Sequence, residues 1–161
     1  MTAKLARAMT FVSFPALTAC SWDPTEPDPT PDNDVGSAPV GVTVNVTLTE
    51  HELTLSRSSS PASVVTFVVE NQGSQTHELW LLETDLAPQD LPTRPHGAFD
   101  TGGDGFEIVV EIDFVAATDR RWFTTTVQSG SYLLLCNYVV REGNELVSHF
   151  HEGMVATFEV Q

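Results

Sequence analysis

Val42-Thr43-Val44-Asn45-Val46-Thr47-Leu48 alternates apolar and polar residues without a break. In an extended chain successive side chains point to opposite faces, so this segment places its valines and Leu48 on one side and reads as a half-buried strand. The same texture recurs downstream in short β-branched and aromatic runs at 52–55, 64–70, 77–82, 106–112, 121–127, 131–137 and 154–160. No helical period is sustained anywhere. Eight such runs within roughly 120 residues predict an all-β chain folded as a Greek-key β-sandwich of two antiparallel sheets. The turns Asn71-Gln72-Gly73-Ser74 and Gln128-Ser129-Gly130-Ser131 supply chain reversals. Residues 84–105, with Pro88, Pro92, Pro95, Gly97, Gly102 and Gly103, form a long loop or irregular insertion.

Outward from this domain, which covers residues 41–161, the sequence changes character. Residues 20–40 are rich in Pro, Asp and Thr, as in Asp23-Pro24-Thr25-Glu26-Pro27-Asp28-Pro29-Thr30-Pro31. Such a stretch buries too little apolar surface to offset its ordering entropy and is expected to be a disordered tether. Residues 1–19 contain no acid, set Lys4 and Arg7 ahead of an apolar run, and stop at Cys20. That is the layout of an export signal, and Pro15 and the shortness of the run argue against a retained transmembrane helix. Leu17-Thr18-Ala19-Cys20 resembles the bacterial lipobox, which implies a lipid on Cys20 and a location at a membrane, facing the periplasm or the cell exterior. A disulfide between Cys20 and Cys136, the two cysteines of the chain, is the other reading an oxidising compartment permits.

The chain has 161 residues, enough for one domain with a real core. Its formal charge is −15, and loss of Lys4 and Arg7 with the leader makes the mature chain two units more negative. That surface excludes nucleic acid and anionic lipid as natural partners and suits a basic protein partner or plain solubility. No glycine-rich phosphate loop opens a helix, and no nucleophile turn marks a Ser-His-Asp arrangement. The expectation is a protein that is not an enzyme and handles no small-molecule substrate.

The residues with chemistry to offer are His77 and the C-terminal set Cys136, His149, His151 and Met154. A thiolate, imidazoles and a thioether suit copper cycling between Cu(I) and Cu(II) better than zinc, which more often takes further cysteines or a carboxylate. A lone buried Cys, a Met before a strand and a His on a strand each have ordinary structural readings. Together in one exported domain they point to a metal.

Three stretches resemble the cupredoxins, the type 1 blue-copper family that includes plastocyanin, azurin and sulfocyanin. Asn71-Gln72-Gly73-Ser74-Gln75-Thr76-His77-Glu78-Leu79 is similar to the segment bearing that family's first ligand histidine. Gly130-Ser131-Tyr132-Leu133-Leu134-Leu135-Cys136 is similar to its Gly-x-Tyr strand, and His149-Phe150-His151-Glu152-Gly153-Met154 to its closing ligand loop. The resemblance implies one type 1 copper held in the plane by His77, Cys136 and His149, with Met154 axial, in an electron carrier that meets a redox partner protein. His151 competes with His149 for the same role. The likeness would make an exposed edge of His149 the electron's exit, with Phe150 in the docking patch. His51 and His96 lie outside the matched stretches and are expected at the surface.

Two departures stand out. Twelve residues separate Cys136 from His149 where the best-known members have few, and with Glu142, Gly143 and Glu145 they read as a solvated excursion. Glu78 stands where many members have an Asn or Ser that supports the copper-bound sulfur. Copper storage or delivery uses the same residues, but the chain lacks Met-rich or His-rich tracts. A metal-free sandwich serving as an interaction module is the third reading.

Overall fold

The computed structural model describes residues 40–161. The expected leader, Cys20 and the expected tether up to residue 39 lie outside the described residues. Eleven strands form among the described residues. They are β1 (Val42–Leu48), β2 (Leu53–Leu55), β3 (Ser59–Ser60), β4 (Ser63–Asn71), β5 (His77–Glu83), β6 (Glu107–Val115), β7 (Arg120–Val127), β8 (Gly130–Leu135), β9 (Val139–Glu142), β10 (Glu145–Ser148) and β11 (Val155–Val160). The eight expected strands are all present, with ends moved by no more than three residues. The three additions are the two-residue β3 and the β9–β10 hairpin.

Two sheets face each other. One has the order β2-β1-β4-β7 and the other β3-β11-β8-β5-β6. The chain crosses repeatedly between them, as a Greek-key sandwich requires. The sheets are mixed rather than antiparallel throughout, because β1 pairs β4 in parallel and β11 pairs β3 in parallel. A period-two pattern shows which face of a strand is buried but carries no information about its neighbour's direction, so the sequence could not separate these cases.

Between the sheets lies a core of alternating inward residues. Val44, Val46 and Leu48 of β1 and Val65, Phe67 and Val69 of β4 meet Leu79 and Leu81 of β5, Leu134 of β8 and Phe158 of β11. Phe67 stacks on Phe123 at 5.0 Å and meets Phe158 edge-on at 5.5 Å. Each such fully buried side chain contributes about 1.5–3 kcal/mol of transfer free energy. Tyr132, also buried here, donates its hydroxyl proton to the Gln128 carbonyl at 3.1 Å and accepts from the Gln128 N–H at 3.2 Å, which pins the β7–β8 connection.

The five-stranded sheet is apolar on both faces, which is why Tyr132-Leu133-Leu134-Leu135 does not alternate. Its outer face carries Trp80, Leu82, Leu133 and Leu135. The insertion 84–105 lies across that face as a strap, contributing Leu91 and Phe99, and Phe106 at the start of the next strand packs with them. A single 3₁₀ turn, Pro88–Asp90, and one bridge between Thr93 and Phe99 are its regular structure. The strap keeps the large side chains of that face out of water, which gives the long proline-rich stretch a structural purpose.

Candidate metal centre

Strand directions decide where the chemistry collects. β5 and β11 both run antiparallel to β8, so the start of β5, the end of β8 and the start of β11 share one end of the sandwich. His77 opens β5, Cys136 follows β8 directly, and Met154 immediately precedes β11. Residues 59 positions apart in sequence are thereby brought within reach of one another.

His149 arrives by a different route. The residues between Cys136 and His149 fold as the β9–β10 hairpin, not as a solvated excursion. Its two-residue turn is Gly143-Asn144, with Gly143 at a φ of +63°, and Glu142 faces Glu145 across it. A positive φ at the first turn residue alone is the II′ pattern that suits the twist of paired strands. Because the two arms pair along their length, Val139 lies opposite Ser148, and the His149 N–H reaches the Tyr138 carbonyl at 3.0 Å. The hairpin thus cancels its own length. Met154 closes the loop, its N–H donating to the His149 carbonyl and its carbonyl accepting from the Cys136 N–H, both at 3.0 Å.

The result is a buried cluster of three donor atoms. His77 Nδ1 and His149 Nδ1 are 3.1 Å apart, and Cys136 Sγ lies 3.7 Å from the first and 3.5 Å from the second. All three residues are fully buried, as is Met154, which packs in the same core cluster as Cys136. Metal bonds of about 2.0 Å to imidazole and 2.3 Å to thiolate would separate such donors by about 3.3–3.7 Å. The two sulfur–nitrogen distances fall in that range and the nitrogen–nitrogen distance of 3.1 Å lies just below it, so the triangle would fit one ion after a small parting of the two rings. Its chemistry fits as well, because three lone-pair atoms turned toward a common point lack enough hydrogens to satisfy one another, and His77 Nε2 is buried with no hydrogen-bond partner.

Burial sets the protonation of the cluster. The His77 imidazole is pushed down to about 4, first by burial and then by the neighbouring His149. His149 is lowered by burial and by His51. The Cys136 thiol is pushed up to about 11 by burial, against the pull of the Glu78 and Tyr138 backbone N–H groups. Near neutrality both rings are neutral and the thiol keeps its proton, so a cation entering the cluster displaces one proton.

The support for the sulfur comes from the backbone at position 78. The Glu78 N–H lies 3.3 Å from Cys136 Sγ, while the Glu78 carboxylate turns the other way and accepts from Trp80 Nε1 at 3.2 Å. A strand places alternate side chains on opposite faces, so a residue after the inward His77 must face out. Burial then raises the Glu78 carboxyl above the usual range.

Whereas His149 is part of the cluster, His151 is exposed and lies apart from it. Its ring instead lies against Gly97 of the strap, where an added Cβ would come within 2.8 Å of it. The strap also exchanges two hydrogen bonds with Asn137, next to Cys136: the Phe99 N–H donates to Asn137 Oδ1 at 2.8 Å, and Asn137 Nδ2 donates to the Phe99 carbonyl at 3.3 Å.

The expected exit at a bare histidine edge is not what the fold builds. His149 has no exposed surface, its Nε2 meets Gln75 Oε1 at 3.1 Å, and Phe150 turns into the cluster beneath the strap with 8% exposure. Tyr138 and His51 pack edge-on to the His149 ring at centroid distances of 5.5 and 6.4 Å. His51 is exposed, as expected, yet it neighbours the cluster. His96 is half-buried in the strap. Gln75 and Asn71 are the functional residues that sequence reasoning missed. Buried Asn71 donates to the carbonyls of Gln75 and Val115 at 2.7 and 2.9 Å and accepts from the Gly73 N–H at 2.9 Å, so it shapes the turn that leads into His77.

A two-sheet Greek-key sandwich with a His2Cys cluster at one end and a Met at the mouth of its last strand is the cupredoxin fold. By sequence the chain matches no family model and no curated protein. By structure it is similar to the auracyanin of Roseiflexus castenholzii, at a TM-score of 0.51 and 14% identity, over 75% of this chain and 98% of that one. It is also similar to rusticyanin at a TM-score of 0.50 and 18% identity, over 75% of this chain and 81% of the other. A second structure of rusticyanin, from Thiobacillus ferrooxidans, matches at 0.50 and 15% identity, over 75% and 79% of the two chains. The fold is shared with both neighbours.

Proposed function

We propose that this chain is a type 1 copper protein that carries one electron at a time outside the cytoplasmic membrane. The observation that carries the proposal is the convergence of His77 Nδ1, Cys136 Sγ and His149 Nδ1 in a buried triangle. These three, together with Met154, would hold the copper, and two imidazoles, a thiolate and a thioether are the donor set that distinguishes blue-copper sites. Bound there, copper supplies a one-electron couple between Cu(I) and Cu(II). The chain's own contribution is to keep the ligands in one arrangement for both states. Three of them are fixed by strand ends, and the fourth by a paired hairpin. Rusticyanin, one of the structural neighbours, is a copper protein.

The burial that fixes the ligands also favours a carrier over copper storage or delivery, since release would have to open a core with no exposed ligand atoms. A redox partner protein would approach the end of the sandwich where Gln75, His51 and Tyr138 stand over His149. With its acidic charge the chain suits a partner with a basic face. The lipobox-like Leu17-Thr18-Ala19-Cys20 supports a lipid anchor at Cys20, with 21–39 as the tether, at a periplasmic or outer membrane face. Mass spectrometry of the mature N-terminus tests that part, and an unmodified N-terminus other than Cys20 would end it.

The copper reading is tested by titrating the metal-free protein with Cu(II) while recording visible absorption and electron paramagnetic resonance. An intense thiolate-to-copper band with narrow hyperfine splitting is expected. A colourless, tetragonal signal would refute the site and leave a metal-free interaction module. Retention of copper against a chelator through repeated redox cycles separates a carrier from a delivery protein.

A further inference from the structure

Neutral imidazole carries one proton, and the nitrogen that bears it cannot be a ligand. What holds the proton on the correct nitrogen therefore decides whether His149 can bind a metal. Gln75 Oε1 lies 3.1 Å from His149 Nε2. An amide oxygen only accepts, so this contact requires Nε2–H and leaves the Nδ1 lone pair facing Cys136 Sγ and His77 Nδ1. The ring is fully buried, so the hydrogen-bonding role falls to the side chain. The Gln75 backbone is itself held, because Asn71 Nδ2 donates to its main-chain carbonyl at 2.7 Å. His77 has no corresponding partner at Nε2.

We propose that Gln75 is a positioning residue that fixes His149 in the Nε2–H tautomer and in the orientation that presents Nδ1 to the metal. One turn, 71–77, then provides both a ligand, His77, and the residue that aligns the opposite ligand. The same amide covers the ring edge through which water would otherwise reach the site. A ligand histidine that donates its second N–H to an oxygen is a more basic ligand and binds more tightly. The inference rests on the copper reading for its metal consequences, whereas the tautomer itself is a property of the metal-free chain.

Two measurements test it separately. In the metal-free protein, long-range ¹⁵N–¹H NMR of the imidazoles should report His149 as Nε2–H, and Gln75→Leu should mix the tautomers or shift them to Nδ1–H. An Nδ1–H tautomer in the unsubstituted protein, or a tautomer unmoved by Gln75→Leu, overturns the proposal whether or not copper binds. With copper, Gln75→Leu should weaken Cu(II) affinity about 10–100-fold. Gln75→Glu keeps an acceptor and should retain affinity while favouring Cu(II), a tenfold change in that preference being about 59 mV of reduction potential. Equal affinity and equal potential in all three proteins would overturn the proposal while leaving the copper site standing. A blue band missing from the unsubstituted protein would sink the copper reading, and the NMR result would still decide what Gln75 does.

Discussion

If the β9–β10 hairpin serves only to return the chain to His149, it can be shortened in steps that respect its pairing. Residue pairs across an antiparallel ladder alternate between hydrogen-bonded and non-bonded types. Tyr138 and His149 stand at a hydrogen-bonding position of the ladder, since the His149 N–H reaches the Tyr138 carbonyl at 3.0 Å. Counting outward along the register, Val140 and Val147 are again a bonded pair, and so are Glu142 and Glu145 at the turn. Removing Arg141, Glu142, Glu145 and Leu146 brings Gly143-Asn144 onto the Val140–Val147 pair with the phase and the facing of every remaining side chain preserved. All four deleted residues are exposed, so no core is lost. Shortening the loop recovers about 0.4 kcal/mol of closure entropy, and losing two exposed cross-strand pairs costs about 0.4–2 kcal/mol. The shortened protein should therefore unfold in urea with a stability within about 1.5 kcal/mol of the original and keep its blue absorption. Removing only Glu142 and Glu145 puts the turn on a non-bonded pair and should damage both. Loss of the blue band in the four-residue deletion, or equal tolerance of both deletions, would refute the argument that pairing is what delivers His149.

The other predictions concern the site and the turn that supports it. His149→Ala should abolish the blue band, while His151→Ala should leave it unchanged, as read by absorption after Cu(II) titration. Because Cu(II) displaces the proton of a thiol raised to about 11 while both rings are already neutral, affinity should rise about tenfold per pH unit between roughly pH 7 and 9. Competition with a chelator of known pH dependence measures this. For the metal-free protein the sign is set by His77 and His149, both lowered by burial, with His77 held at about 4 when folded against about 6.5 for a free imidazole. Between those values the unfolded chain binds more protons, so stability is full above pH 6.5 and should fall by about 3 kcal/mol as the pH drops to 4. Urea unfolding across that range checks it. Asn71→Ala leaves two carbonyls and one N–H without their partner and should cost about 1–3 kcal/mol, with a weakened blue band because the turn bearing Gln75 and His77 loosens.

Much of this protein is written locally. The alternation of 42–48 marks a strand because side-chain period depends on backbone geometry alone, and His77, Cys136 and Met154 stand out because the stretches that carry them resemble the ligand segments of the cupredoxins. What sequence could not weigh was contact between distant segments. His149 and His151 differ by two positions and have the same chemistry. A tight loop closed by hydrogen bonds from Met154 and Gly153 turns one inward and leaves the other against the strap. The long Cys136–His149 interval looked like an obstacle because separation along the chain was the only distance available, and pairing of its two arms removes that distance.

Residue pattern by itself determined the all-β sandwich, since side-chain period is a local property, and the resemblance to the cupredoxins singled out His77, Cys136 and Met154 while leaving His149 and His151 as alternatives. The tertiary structure decided the mixed direction of the sheets, the cover that the 84–105 strap gives the outer face, the shielding of His149, and the reach of Gln75 to a ring 74 residues away. Those features depend on which strand ends meet in space, and strand pairing is a non-local choice that no single segment encodes.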